Sequence, residues 1–520
     1  MKKKKFYYII TVLITVCLIS CDKVLELDPL GKLTFEQYWN SKEQAVASIA
    51  GFYSKLGSSG GGLSTTSVSC LESYIYWGEM RGELVTNNSG RLPAQHLSRE
   101  NVSNLVVTSS DVITNYTHFY SVINGCNQAI EFLPNILGKD PSFTAEDEKN
   151  LMGESYFCRG FSYFWLVRTF KEVPLILTPS MVDDQDFNQP KNTMEEIFSQ
   201  IASDVEKAKE MLPRWYDDRE DYSRCRATRY TALTLLSDVY LWMAATTNDA
   251  GKKSEYYDLV IRYCTEVIDS KRFLLMPGVR FGEIYQLGTS GETIFESYAS
   301  QPNNQTNHLH EWTVSSGYFV VPVATDDLFT YTELSDYRSA SPPNGSTGPE
   351  RGSQVSINAS SRFINKYNRG TRDARWIHYR YPEVLLMKAE ALSHIIPDNV
   401  NNLTEAAQLI HEIRLRAYGV SYYPQVTISS TYEMDQVILD ERGREFIGEG
   451  KRWFELVRFA SRDNFENSNL LINRLMGKIS AVEQLTMRPR ILNPESWYFP
   501  LNSSALSSNS KLIQNPYYSN

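Results

Sequence analysis

The chain has 520 residues, 42% hydrophobic and 22% charged, with a formal net charge of -9. That apolar content excludes disorder of the whole chain. A mean hydropathy of -0.35 excludes a multi-pass bundle of apolar helices, and the acidity disfavours nucleic-acid binding through phosphate neutralisation. Aromatic residues are abundant, with 32 Tyr, 23 Phe and 9 Trp. Such rings suit surfaces that are apolar on a face and polar at an edge.

The N-terminus reads as an export signal. Lys2 to Lys5 are basic, Phe6 to Ile19 is apolar apart from Thr11 and Thr15, and Leu18-Ile19-Ser20 leads into Cys21. The apolar stretch is too short to span a bilayer comfortably and has the proportions of a signal peptide core. The order of these regions resembles a bacterial lipobox. That resemblance implies cleavage over 1–20, acylation of Cys21 and a tether over 21–34, with the acyl chains giving stable anchoring. After processing, Cys70, Cys126, Cys158, Cys225 and Cys264 remain. An odd count at wide spacing without a CxxC predicts free thiols, not a disulfide framework or a zinc site.

Helical periodicity begins near Phe35. Ser41 to Leu56 places Ala45, Ile49, Phe52 and Leu56 on one face. Gly57 to Gly62 is a break without the Lys-Ser/Thr of a phosphate loop. Leu63 to Leu105 reads as irregular and rich in aromatic and polar residues. Thr114 to Leu133 and Ala145 to Phe170 read as helices. Thr193 and Glu196 form a capping box ahead of a helix with Ile197, Ile201, Val205, Ala208 and Leu212 on one side. Arg229 to Ala245 and Tyr256 to Ser270 follow. Phe273 to Phe363 is rich in Gly, Pro, Ser and Asn and reads as a loop-rich insertion with short strands, such as Tyr318 to Val321. Helices resume at Pro382 to His394 and Thr404 to Ala417. Glu433 to Phe459 reads as one long helical stretch bent at Gly443 or at Gly448 to Gly450, and Asn493 to Asn520 as an irregular tail. Paired helices at roughly 34-residue spacing suggest tetratricopeptide-type units.

Several blocks together resemble the SusD/RagB family of nutrient-binding surface lipoproteins of Bacteroidota. They are Leu25-Glu26-Leu27-Asp28-Pro29 running to Tyr53, Gly153 to Pro179, Arg380 to Leu392, Ile410 to Tyr418, Leu439 to Arg458, and Tyr498 to Tyr518. They occur in the family's order over nearly the whole chain. Gly443 replaces a usual Arg, and Tyr517 replaces the Gly of a terminal QNPG. The resemblance implies a mainly α fold: tetratricopeptide-type helix pairs forming a scaffold, with a variable loop-rich region. The corresponding division is 35–272 for the N-terminal scaffold, 273–376 for the variable ligand-binding region and 377–520 for the C-terminal part. It also implies a receptor that is not an enzyme and uses no cofactor. Such a receptor is lipid-anchored on the exterior of the outer membrane, where it passes glycans or, in the RagB branch, peptides to a TonB-dependent SusC-like transporter. A lipid-anchored glycoside hydrolase, with two carboxylates in a cleft, and a purely scaffolding helical repeat remain as alternatives.

Glycan binding calls for flat aromatic platforms beside amide, carboxylate or guanidinium partners, carried on loops. Two segments carry that composition: Tyr74 to Arg81, and Tyr298 to Tyr331. From them Trp77, Trp312 and Tyr318 are candidate platforms, with Arg81, Asn304 and Asn307 as hydrogen-bonding partners. His308 and His310 share a face if extended, but lack an evident third metal ligand. Asp183, Asp184 and Asp186 lack the spacing of an EF-hand. The alternating charges Glu441, Arg442, Arg444, Glu445, Glu449, Arg452 and Glu455 read as ion pairs that fix helix packing, not as catalytic carboxylates.

Overall fold

The computed structural model describes residues 38–519, apart from 61, 182–184, 218, 301–305, 323–324, 326–327, 329–354, 358–361, 369–371 and 419–427. Cys21, Asn304, Asp183 and Asp184 lie outside the described residues. The N-terminal half is a succession of helices. They are α1 (Lys42–Gly57), α2 (Cys70–Gly78), α3 (Thr117–Phe132), α4 (Ala145–Phe170), α5 (Met194–Met211), α6 (Arg229–Thr246) and α7 (Ala250–Asp269). The C-terminal part adds α8 (Tyr381–Ile395), α9 (Val400–Tyr418), α10 (Thr431–Phe446), α11 (Arg452–Phe465), α12 (Asn469–Gly477) and α13 (Ala481–Ile491). From α3 to α9 each helix packs on the next in sequence, and α7 meets α8 across the insertion. This nearest-neighbour stacking is the logic of a helical repeat.

Local chemistry sets many of these boundaries. Ser41, Thr144, Thr193 and Ser480 each accept a hydrogen bond from the N3 amide, while the N3 side chain returns one to the cap backbone. Each such box satisfies amides that a helix start leaves open. The apolar face expected for α1 is the one buried: Ala45, Ile49, Phe52 and Leu56.

Two expectations are corrected. Leu63 to Leu105 contains α2, whose nine residues are all buried. A helix enclosed on every side has no polar face, so it leaves no amphipathic period to read. The stretch Glu433 to Phe459 is two helices and not one bent helix. Gly448 and Gly450 have φ of +80° and +70°, which ends α10, whereas Gly443 lies within it. Gly450 also meets Gly78 at the end of α2. A Cβ on Gly78 would lie 1.8 Å from the Gly450 carbonyl oxygen, so the two chains cross with no room for a side chain.

The insertion is tied to the scaffold by short antiparallel pairs. Strand β1 (Thr86–Asn87) pairs with β3 (Phe319–Val320), with Thr86 opposite Val320. Strand β2 (Thr293–Ser297) pairs with β6 (Trp376–Arg380), from Thr293 opposite Arg380 to Ser297 opposite Trp376. A third pair joins β4 (Val355–Ile357) to β5 (Arg362–Ile364). Strand β6 runs directly into α8, so Arg380 sits at a strand–helix junction.

One hydrophobic cluster runs from Trp39 to Leu501 and takes side chains from both helical parts and the insertion. Much of the aromatic content lies there. Tyr74 packs on Trp165 at 4.4 Å and stacks on Trp376 at 5.8 Å between ring centres. Buried phenols find acceptors: Tyr74 on the Leu56 carbonyl, Tyr367 on the Gly448 carbonyl, Tyr285 on Glu449 and Tyr379 on Asp238. The predicted ion pairs of the C-terminal part are present and buried. Arg380 meets Glu292, Glu445 and Glu449, Arg414 meets Glu441, and Arg442 meets Glu383 and Glu455.

Candidate functional site

The structure places most of the sequence-predicted site residues inside the protein. Trp77 on α2 is 0% exposed, its indole N–H donates to the Ile113 carbonyl at 2.9 Å, and Phe119 and Phe170 pack on its ring. Arg81 is buried, donates from Nη2 to the Ser496 carbonyl at 2.7 Å and lies over the Trp453 ring at 4.1 Å. It pins the C-terminal segment, and both it and Trp77 touch Phe499. Asn307 donates from Nδ2 to the Ala374 carbonyl and accepts from the Leu309 amide, which braces the insertion from within. Trp312 is 1% exposed and stacks on His308. Rings enclosed in this way have no free face for a sugar, so Trp77 and Trp312 are corrected to core residues, and Arg81 and Asn307 to braces. Tyr318 remains half-buried at the core's edge. Trp77 and Arg81 meet at Phe499, while the Tyr318 amide donates to the Trp312 carbonyl. His308 engages Glu311, His310 faces the Tyr367 carbonyl, and Asp186 accepts from the Asn188 amide and pairs with Lys511.

A cleft of about 650 Å³ opens elsewhere, between the C-terminal end of α1, the short helix Glu220–Cys225 and the end of β2. Gly57 permits the approach: a Cβ there would stand 2.9 Å from the Ser297 Cβ. Its wall includes Tyr53, Tyr222 and Tyr298, with Arg219, Arg226 and Glu296 among them. Ala299 and Thr306 also line it.

Three guanidinium groups lie over these rings. Arg219 and Arg226 both lie over Tyr222 at 4.6 Å, and Arg375 lies over Tyr298 at 4.5 Å. Arg226 is fixed by Glu154, to which Nε and Nη2 donate at 2.6 and 2.7 Å. Burial works against the Arg226 charge, but Glu154 outweighs it and keeps the guanidinium charged. Tyr298 is 39% exposed and is the most open aromatic of the wall. Burial pushes the Tyr53 phenol well up, so it stays neutral and hydrogen-bonding. Burial and the neighbouring Glu296 push the Cys225 thiol up as well, which keeps it protonated and a poor nucleophile.

The cleft therefore joins partly open aromatic faces to fixed donors and acceptors. Of its residues, the sequence reading reached only Tyr298, as the first residue of the second aromatic segment. Tyr53 carried a signal, since it lies next to Phe52 but off the buried face of α1. Arg219 and Tyr222 carried none, because their role depends on β2 lying opposite.

Two family models match the chain: one described as the SusD family over residues 291–518, and one described as starch-binding associating with outer membrane over residues 70–241. The C-terminal part of the chain matches the SusD family, and the chain resembles SusD-like proteins over nearly its whole length. Among its relatives, SusD-like protein P38 of Formosa agariphila is 26% identical over 537 residues, covering 96% of each chain. SusD-like protein P2 of the same organism is 25% identical and covers 99% of each. Among solved structures, B. fragilis NanU superposes with a TM-score of 0.69 at 19% identity, covering 95% of this chain and 100% of that one. At that identity the likeness establishes the fold. The mainly helical SusD-type architecture expected from the sequence is thus the one found. Among the described residues, no helix is long and apolar enough to cross a membrane.

Proposed function

We propose that this SusD-like protein is a non-catalytic glycan-capturing lipoprotein of the outer membrane. In this reading it is anchored through Cys21, faces the exterior and delivers oligosaccharides to a TonB-dependent SusC-like transporter. The observation that carries the reading is the cleft. Its aromatic faces suit the C–H surfaces of sugar rings, and its guanidinium and carboxylate groups suit hydroxyl edges. The family match supplies the outer-membrane setting, since one matching model is described as starch-binding associating with outer membrane.

Of the residues proposed from the sequence, Tyr318 keeps a partly open ring, while Tyr298, Tyr222 and Arg219 take over as proposed contacts. The test is affinity electrophoresis of the chain 22–520 through gels holding a panel of polysaccharides, with product analysis of the same mixtures. Retardation without released sugar, reduced by Tyr298→Ala, supports the reading. Released sugar would make Glu296 and Asp221, the carboxylates of the cleft, candidates for a hydrolytic pair and overturn it. Retardation unchanged by Tyr298→Ala would remove the cleft from the reading.

A further inference from the structure

A surface helix buries an apolar stripe and turns polar residues outward. Helix α13 is apolar on both sides. Met487 and Ile491 are buried, while Val482, Leu485, Pro489 and Leu492 recur at i, i+3, i+7 and i+10 along the opposite face. Val482 and Leu485 are 75% and 76% exposed, and Leu492 is 55% exposed. Arg488 and Arg490 stand on the two sides of this stripe, and neither forms an ion pair among the described residues. Glu483, the one carboxylate of the helix, is held by Ser480 in the capping box.

A second feature marks the same corner of the molecule. Asp463, Asn464 and Phe465, which close α11, are successive left-handed residues with φ of +50°, +56° and +68°. Such backbone is strained for L-residues, and proteins keep strain of this kind mainly where function uses it. It leaves the Phe465 ring 38% exposed with its edge on Trp497, and the Trp497 indole donates to the Ile491 carbonyl at the end of α13.

Aliphatic and aromatic side chains flanked by unpaired guanidinium groups match the boundary between hydrocarbon and anionic headgroups. The contrast with the whole chain supports that match. Its net charge is -9, so an anionic surface repels the body and attracts this corner. The lipid anchor reaches it as well. The start of α1 pairs with the start of α4 through Lys42 and Asp147, and the segment after α13 meets the other end of α4 through Thr169 and Phe499. Helix α4 is about 39 Å long, whereas the stretch from Cys21 to Tyr38 spans up to about 60 Å when extended.

We infer that α13, with Phe465, is a membrane-docking surface: Val482, Leu485 and Leu492 enter the apolar edge of an anionic lipid leaflet, and Arg488 and Arg490 bind its phosphates. The inference rests on the outer-membrane reading and adds a contact to it. An acyl anchor at Cys21 fixes one point, and α13 fixes the orientation in which the cleft is presented.

The test is flotation of the lipid-free chain 22–520 with vesicles of phosphatidylethanolamine and lipid A, beside vesicles of phosphatidylcholine. Wild type should bind the anionic vesicles roughly 10-fold more tightly, the effect of two cations at a charged surface. Leu485→Glu should lose roughly 10-fold or more, because one leucine no longer leaves water. Arg488→Glu should narrow the preference between the two vesicles. Val400→Glu, at an equally open apolar residue that begins α9, should bind as wild type does. No binding by wild type, no loss in Leu485→Glu, or an equal loss in Val400→Glu overturns the inference. A concentration-dependent dimer abolished by Leu485→Glu, without vesicle binding, overturns it in favour of a second copy. Where a variant melts below wild type, the wild-type vesicle preference decides alone. Polysaccharide retardation reads the proposed function separately: a chain retarded by a glycan but not bound by anionic vesicles keeps that reading and loses this one.

Discussion

Replacing Arg380 with Met should destabilise the fold by about 4 kcal/mol, within the ~3–5 kcal/mol typical of a broken buried ion pair. Arg380 is fully buried where β6 becomes α8. Its Nε donates to Glu449 Oε2 at 3.0 Å, Nη1 to Glu292 Oε1 at 2.6 Å, and Nη2 to Glu449 Oε1 at 2.9 Å. Glu445 accepts from it as well. The guanidinium thus links the insertion, through Glu292, to the end of α10 and the turn after it. Lys366 also binds Glu449 and Arg416 binds Glu445, so these carboxylates are matched by cations. Met fills similar volume but leaves one buried negative charge uncompensated. The loss is therefore that of one broken buried pair and not a sum over every contact. Arg380→Lys keeps the charge but not the planar fork, and should lose about half as much. Pairing Arg380→Met with Glu292→Gln should recover part of the loss. Urea denaturation followed by circular dichroism, extrapolated to water, measures each. An Arg380→Met variant within 1 kcal/mol of wild type would refute the claim that this cluster locks the insertion to the scaffold.

Other outcomes follow from the same structure. Burial alone would raise the Glu449 carboxyl, but Arg380 and Lys366 outweigh it and hold it down at about 2. A carboxyl lower in the folded than in the unfolded state stabilises above its unfolded value and loses that contribution as pH falls towards its folded one. Stability should therefore drop by about 3 kcal/mol from this group between about pH 4.5 and pH 2, and Glu449→Gln should flatten that part of the curve. Gly78→Ala should cost ~3 kcal/mol or more, because the new methyl meets backbone at Gly450; soluble yield and melting temperature report it. Trp77→Ala should cost ~3–5 kcal/mol through the lost core volume, so weakened glycan capture in that variant should track unfolding and not a lost contact. Tyr298→Ala, on an exposed side chain, should keep the melting temperature while weakening retardation by roughly 10-fold or more.

The helical framework was legible in the sequence where helices are amphipathic and capped. Helices α1, α4 and α5 declare themselves by an apolar face or by Ser41, Thr144 and Thr193 at their starts, signals confined to neighbouring residues. Ion pairing of the Glu441–Glu455 stretch was legible for the same reason, although its partners Glu83, Arg380 and Glu383 were not. Helix α2 was missed because all of its sides are covered by other parts of the chain.

The site divides along the same line. Composition identified aromatic segments, but whether a ring is a platform or a core residue depends on what covers it. Phe119 and Phe170 cover Trp77, and the core encloses Trp312, whereas Tyr298 at the end of β2 remains 39% exposed. The cleft joins α1, the Glu220–Cys225 helix and β2, which lie far apart in the chain and meet through Gly57 and the β2–β6 pairing. The sequence determined the amphipathic helices and the family resemblance, because caps, periodicity and motif order are local properties written residue by residue. Only the tertiary structure decided which aromatics face solvent, because exposure depends on distant segments packed against one another.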